Sequence, residues 1–254
     1  MKSRILKLAY IALGLFIASS VSLMAQEESA ETETAAETPS DADTNIFDLI
    51  SKGGLAMIPL GLLSMAGTGL VVYNFMAVRE KAFLSVSEIE EIEPLINQLD
   101  IDGAKQVCED SNSPAINIIS AGLNRIVDGE MDQAAIDRAV EDAAEEELSG
   151  AFVLINYLSV IGAIAPMVGL LGTVSGMVKA FRSISTIGMG DPSVLANNIS
   201  EALITTASGL IVAIPALLFY YYFKNKYGKI TSSVNRVVGD VFFSLSQAVR
   251  NARM

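Results

Sequence analysis

Residues 165–177 read APMVGLLGTVSGM, and they lie in an uncharged run from residue 148 to residue 178. A segment whose only task was to dissolve in lipid would be built from Leu, Ile and Val. This one carries Gly169, Gly172 and Gly176, a proline at Pro166, and hydroxyls at Thr173 and Ser175. The run is longer than the roughly 20 residues a helix needs to cross the hydrocarbon. It therefore reads as a membrane helix that is thin and slightly polar on one side.

Two further runs have the same character. GGLAMIPLGLLSMAGTGLVVYNFMAV, residues 53–78, holds no charge and is followed at once by Arg79 and Lys81. A third run, over 200–223, ends in FYYYF and then Lys224, Lys226 and Lys229. Aromatic residues at the interface followed by lysines mark a cytoplasmic exit. The N-terminus has a basic start (Lys2, Arg4, Lys7), an apolar core and Ala25 before an abrupt polar shift at Gln26, the pattern of an export signal. The rival reading is an uncleaved signal anchor. QEESAETETAAETPSDADTN, residues 26–45, lacks the apolar surface needed to fold and reads as a disordered tether.

The 254-residue chain is 51% hydrophobic yet carries a net charge of −12, a conflict in one soluble globule that disappears when apolar and acidic residues are segregated along the chain. The acidic balance argues against nucleic acid as a partner. With no His, the commonest metal ligand and general base are missing, and the lone Cys108 forms no intrachain disulfide and matches no metal spacing. No metal and no catalytic residue is expected, and the chain does not read as an enzyme. Residues 79–147 show helical apolar spacing at Ile89, Ile92, Leu95, Ile96 and Leu99, and again at Ile116, Ile119, Leu123 and Ile126. The acidic run Glu145–Glu147 points around a helix and reads as a solvated face.

The expected fold is an all-α membrane protein: three transmembrane helices with long cytoplasmic helical extensions. In order these are a signal peptide over 1–25, an acidic periplasmic tether over 26–49, and a first span within 50–78. A cytoplasmic helical region follows over 79–147, then a second span within 148–178. A periplasmic loop and helix start cover 179–199, with Asp191-Pro192 as the start signal. The third span lies within 200–223, and a cytoplasmic helical tail covers 224–254.

Residues three or four apart share a helix face. Gly162, Pro166, Gly169, Thr173 and Gly176 thus form one small stripe, and Ala202, Thr206, Gly209, Ala213 and Ala216 form another. Small stripes let helices approach closely in lipid, so plain packing explains most of these residues. Two threonines near mid-depth fit it less well and point to a narrow lining. Glu201, the carboxylate at the entrance of the third span, is either a helix cap at the interface or a functional group. Thr205 and Ser208 share its face, whereas Thr206 is about 140° away.

NYLSVIGAIAPMVGLLGTVSGMVKAF followed by ISEALITTASGLIVAIPALLFYYYF resembles the MotA/TolQ/ExbB proton channel family, closest to its ExbB and TolQ branch. SPAINIISAGL, residues 113–123, resembles the family's cytoplasmic motif. The resemblance implies an oligomeric ring, a pentamer, around a smaller single-span partner of ExbD or TolR type. Ring and partner would convert proton flow across the inner membrane into work on a TonB- or TolA-type protein, with the proton gradient as energy source and no cofactor. It places the pore threonines at Thr173 and Thr206 and the outer-end glutamate at Glu201. Ser175 departs from the resemblance, standing where many relatives carry a bulky aromatic, and a locally wider pore would follow. The alternatives are a flagellar-type stator subunit and a non-conducting membrane scaffold.

Overall fold

Proline has no N–H to donate, and in the first turn of a helix none is needed. The helix expected after Asp191 starts at Pro192 in the computed structural model, which describes residues 54–109, 111–126, 131–187 and 192–252. The signal peptide and the tether lie outside the described residues. Seven helices are described: α1 Met57–Ala77, α2 Glu80–Phe83, α3 Val86–Asn97, α4 Ile101–Glu109, α5 Pro114–Leu123, α6 Gln133–Ile187 and α7 Pro192–Ala252. No strand occurs among the described residues.

Three segments are long and apolar enough to cross a membrane: α1, Gln133–Ser185 of α6 and Leu195–Ala252 of α7. They contain the three expected spans, and the protein is an all-α membrane protein. α1 lies inside its expected limits, whereas α6 and α7 run past theirs at both ends. α6 joins the acidic helix of the 79–147 region to the second span without a break, and it continues through Lys179 to Ile187. Charge marks where a helix leaves lipid and does not by itself end the helix. Pro166 and Pro215 sit inside α6 and α7. Membrane helices tolerate interior prolines because neighbouring groups satisfy the freed backbone.

The chain divides into two compact units. One contains residues up to Ala66 and Ile161–Pro215. Its buried core is small, Leu60 of α1 against Ala165 of α6 and Ala213 of α7, with Met57, Leu63, Val168 and Val212 around it. Such a core follows from the sequence: where glycine and alanine face each other, the backbones themselves do the packing.

The other unit contains Gly67–Val160 and Ala216–Met254. Here the heptad-like spacing of large residues builds a conventional apolar core. Ile92 and Ile96 of α3, Ile116 and Ile119 of α5, Ile136 of α6 and Leu245 of α7 are all fully buried within it. Phe75 packs edge-on against Phe219 and Phe223. α3 ends in a left-handed residue, Leu99 (φ 61°), with Asp100 N–H donating to the Leu95 carbonyl and Leu99 N–H to that of Ile96. That pair of bonds is the usual glycine-terminated helix end, made here by leucine. The turn leaves Asp100 to cap α4, its carboxylate accepting from Gly103 N–H at 3.0 Å. Ser113, before Pro114 of α5, instead donates its hydroxyl to the Phe83 carbonyl at 3.0 Å and ties α5 to α2.

Candidate functional site

The three described membrane segments hold no carboxylate, amine or imidazole between residues 57 and 77, 148 and 178, or 202 and 223. Any polar chemistry at depth therefore falls to hydroxyls, amides and backbone. The structure gathers these along the seam where α6 meets α7.

Gly169 lies against the backbone of Thr205, Thr206 and Gly209, so close that a Cβ there would sit 3.0 Å from the Thr205 carbonyl oxygen. A Cβ on Gly209 would stand 2.7 Å from the Ala165 carbonyl oxygen, and one on Gly176 would stand 3.0 Å from that of Asn198. A Cβ on Gly172 would collide with the Thr205 hydroxyl. Four of the named small residues, Gly169, Gly172, Gly176 and Gly209, thus serve close helix approach, as membrane packing requires. Gly162 is buried and Pro166 half-buried on the same helix.

Thr206 is half-buried and donates its hydroxyl across the seam to the Gly169 carbonyl at 3.1 Å. Thr173 is also half-buried, but its hydroxyl donates within α6, to the Leu170 carbonyl at 2.7 Å. The helical wheel places Thr173 and Gly172 about equally well beside Gly169 and Gly176, and the structure turns Gly172 to α7. In both threonines the proton is committed to a backbone carbonyl. The oxygen lone pairs are then what each hydroxyl offers to a further group. Such a site accepts a hydrogen bond from a protonated carboxyl and gives nothing to an ionised one.

Glu201 lies more than two turns inside α7, so it does not cap the helix start. Its Oε1 accepts from Lys179 Nζ of α6 at 2.7 Å, with the lysine about half exposed and the glutamate 24% exposed. The same carboxylate fills the space beside Gly54, whose φ of +64° already excludes most side chains and where a Cβ would overlap Glu201 Oε1. No local signal in the sequence pairs Lys179 with Glu201, 22 residues away.

Two buried polar residues are not among the expected site residues, although the sequence places Thr205 on the face of Glu201. Thr205, 1% exposed, donates to the Ala202 carbonyl at 2.7 Å and fills the hollow left by Gly172. Asn74 of α1, 1% exposed, donates to the Leu70 carbonyl at 2.9 Å while its Oδ1 has no partner.

The sequence pattern of the MotA/TolQ/ExbB proton channel family matches residues 110–236, half of the chain and all of the seam. The chain belongs to the MotA/TolQ/ExbB proton channel family. Relatives of that family include the biopolymer transport protein ExbB of Salmonella typhimurium, 40% identical over 92 residues, 36% of this chain and 38% of that one. ExbB of Xanthomonas campestris is 35% identical over 117 residues, covering 45% and 46%. The Tol-Pal system protein TolQ of Pseudomonas aeruginosa is 36% identical over 97 residues, covering 38% and 42%. The chain thus matches less than half the length of each of these curated relatives. Both ExbB and TolQ names among them agree with the branch that the motifs of α6 and α7 resemble.

Proposed function

We propose that this chain is the ring-forming, stator-like subunit of an inner-membrane proton channel. With a single-span partner of ExbD or TolR type, it would convert proton motive force into work on a TonB- or TolA-type protein, serving outer-membrane transport or integrity. Five copies close the ring. The N-terminus is periplasmic and the tail after Lys224 cytoplasmic. The chain is no enzyme and needs no cofactor beyond the gradient.

One observation carries this reading: Thr206 binds the Gly169 carbonyl across a seam of glycines, with Thr173 one turn further along α6, in a membrane region lacking any carboxylate, amine or imidazole. Three helices cannot enclose a lumen, so a channel lined by α6 and α7 needs a closed ring of copies. Hydroxyls do not titrate near neutral pH, so the proton carrier must be a carboxyl on the partner helix. Thr173 and Thr206 would accept its hydrogen bond when it is protonated. Leaving a buried carboxyl without a partner costs about 1–3 kcal/mol, and more when it is charged. The threonines therefore lower the barrier for the neutral form at mid-depth.

The test is proton flux into vesicles that contain the full chain and its partner. Thr173→Val and Thr206→Val keep the volume and branching and remove the hydroxyl. Each is expected to lower flux about tenfold or more with the ring intact by native mass measurement, and Thr173→Ser is expected to be mild. Wild-type flux in both valine variants would sink the threonine assignment. A wild-type ring that binds its partner yet never conducts would make the chain a scaffold.

A further inference from the structure

In the unit formed by Gly67–Val160 and Ala216–Met254, α6 and α7 carry opposite charge at the same level. Tyr227 of α7 donates its hydroxyl to the Leu148 carbonyl of α6, and the two helices run antiparallel. Moving back along α6 thus matches moving forward along α7. With an equal rise per residue, Glu145 and Glu146 stand level with Lys229, and Glu141 stands close to the level of Arg236. Residues 137–147 of α6 hold six carboxylates and one base, Arg138. Residues 224–236 of α7 hold Lys224, Lys226, Lys229 and Arg236 and no carboxylate.

Each stripe has a groove. Asp142 and Glu146 line one together with Asn124 and Arg125 of the chain after α5. Lys224, Lys229 and Arg236 line the other, with Gly228, Ser232 and Ser233 between them. Among the described residues no ion pair joins the two stripes, and Glu145, Glu146, Lys229 and Arg236 project to the surface. One helical repeat beyond Arg236, past the exposed Asp240, comes Phe243, which is 61% exposed.

Depth separates two occupants for the basic stripe. Anionic lipid headgroups occupy a layer of only about 5–8 Å beyond the hydrocarbon. Arg236 lies about 20 Å along the helix from Phe223, and Phe243 about 30 Å. A headgroup reaches Lys224 but neither of these. An exposed phenylalanine so far from lipid also calls for a protein surface to cover it. We propose that the basic stripe of α7, from Lys229 to Arg236, seats against the acidic stripe of α6, from Glu141 to Glu146, in the neighbouring copy of this chain. This rests on the ring reading above. Around a closed ring all copies stand parallel, so residues level within one copy are level between copies. Each subunit then presents an acidic side to one neighbour and a basic side to the other, a head-to-tail contact that closes by rotation. Phe243 extends the same contact.

The experiment uses two differently tagged full-length chains produced together, one carrying Glu145→Cys and the other Lys229→Cys. Mild oxidation of the membranes is expected to give a disulfide dimer holding both tags. Pairing Glu145→Cys with Arg250→Cys, about 30 Å from that level, should give none. In a second arm, Glu145→Lys with Glu146→Lys should lower ring content about tenfold at low salt. Adding Lys229→Glu and Arg236→Glu to the same chain should restore it. A ring intact by native mass measurement without mixed-tag dimers overturns the proposal. So does a ring unaffected by Lys229→Glu with Arg236→Glu in chains that instead lose binding to anionic vesicles. Mixed-tag dimers in a ring that conducts no protons would uphold this contact and refute the channel reading.

Discussion

Lys179 Nζ of α6 stands 2.7 Å from Glu201 Oε1 of α7, and the glutamate in turn occupies the space that a side chain at Gly54 would need. This pair ties the end of the seam together. The lysine is 49% exposed, so solvent screens the attraction and little stability follows from it, on the order of 1 kcal/mol or less. Glu201→Gln and Lys179→Met are therefore expected to leave the denaturation midpoint of the detergent-solubilised chain almost unchanged while lowering proton-coupled activity. Unfolding curves and flux on the same samples separate these effects. Full activity of Glu201→Gln across a pH series would reduce the pair to an interface contact.

The glycines differ in what a side chain would strike, and this orders their substitutions. Gly209→Ala pushes a methyl against the Ala165 backbone, which moves only if α6 and α7 part. Gly172→Ala meets Thr205 Cβ at 2.7 Å, an atom no side-chain rotation moves, so it too is accommodated only if the helices part. Nothing lies within 4 Å of a Cβ at Gly239. Gly209→Ala and Gly172→Ala should therefore both destabilise. Gly239→Ala should stabilise by up to about 1 kcal/mol through helix propensity. Thermal midpoints of the three variants check the order, and Gly209→Ala matching the wild type would refute the close seam.

Asn74 predicts an asymmetry between two substitutions. Its amide donates to the Leu70 carbonyl, but its Oδ1 is buried with no partner. Asn74→Leu removes that unpaired acceptor at similar volume and should cost about 1 kcal/mol or less. Asn74→Asp removes the donor and adds a group whose charged form has no partner, so it should lower folded yield sharply. Equal yields for the two variants would contradict the buried placement.

Cys108 is 3% exposed, and burial, aided by the nearby Glu88 carboxylate, pushes its thiol up to about 11. At pH 8 only about one thiol in a thousand is ionised. Native protein should resist maleimide while unfolded protein reacts fully. A pKa raised on folding favours the folded state at neutral pH. That contribution is lost as pH rises from the ordinary value of 9.0 through about 11. Rapid labelling of folded protein at pH 8 would rule this environment out.

The sequence by itself determined the all-α class, the three spans, the helix start at Pro192 and the small stripes on α6 and α7. Each of these is a local property: an uncharged run is long enough or not, and a residue recurs at helical spacing or does not. The family motif was legible for the same reason, because most of it lies in two continuous segments. Which small residues meet was not local. Gly172 and Thr173 are neighbours on the helical wheel, and only the rotation of α6 against α7 turned the glycine to Thr205 and left Thr173 bonding its own helix. Glu201 was visible in the sequence as an anomaly, but its pairing with Lys179 needed the register of α6 against α7. Thr206 reached Gly169, 37 residues away, by the same register. Periodicity says which face a helix buries. Only the packing of one helix on another decides what that face touches, because a rotation of a few tens of degrees exchanges one set of partners for the next.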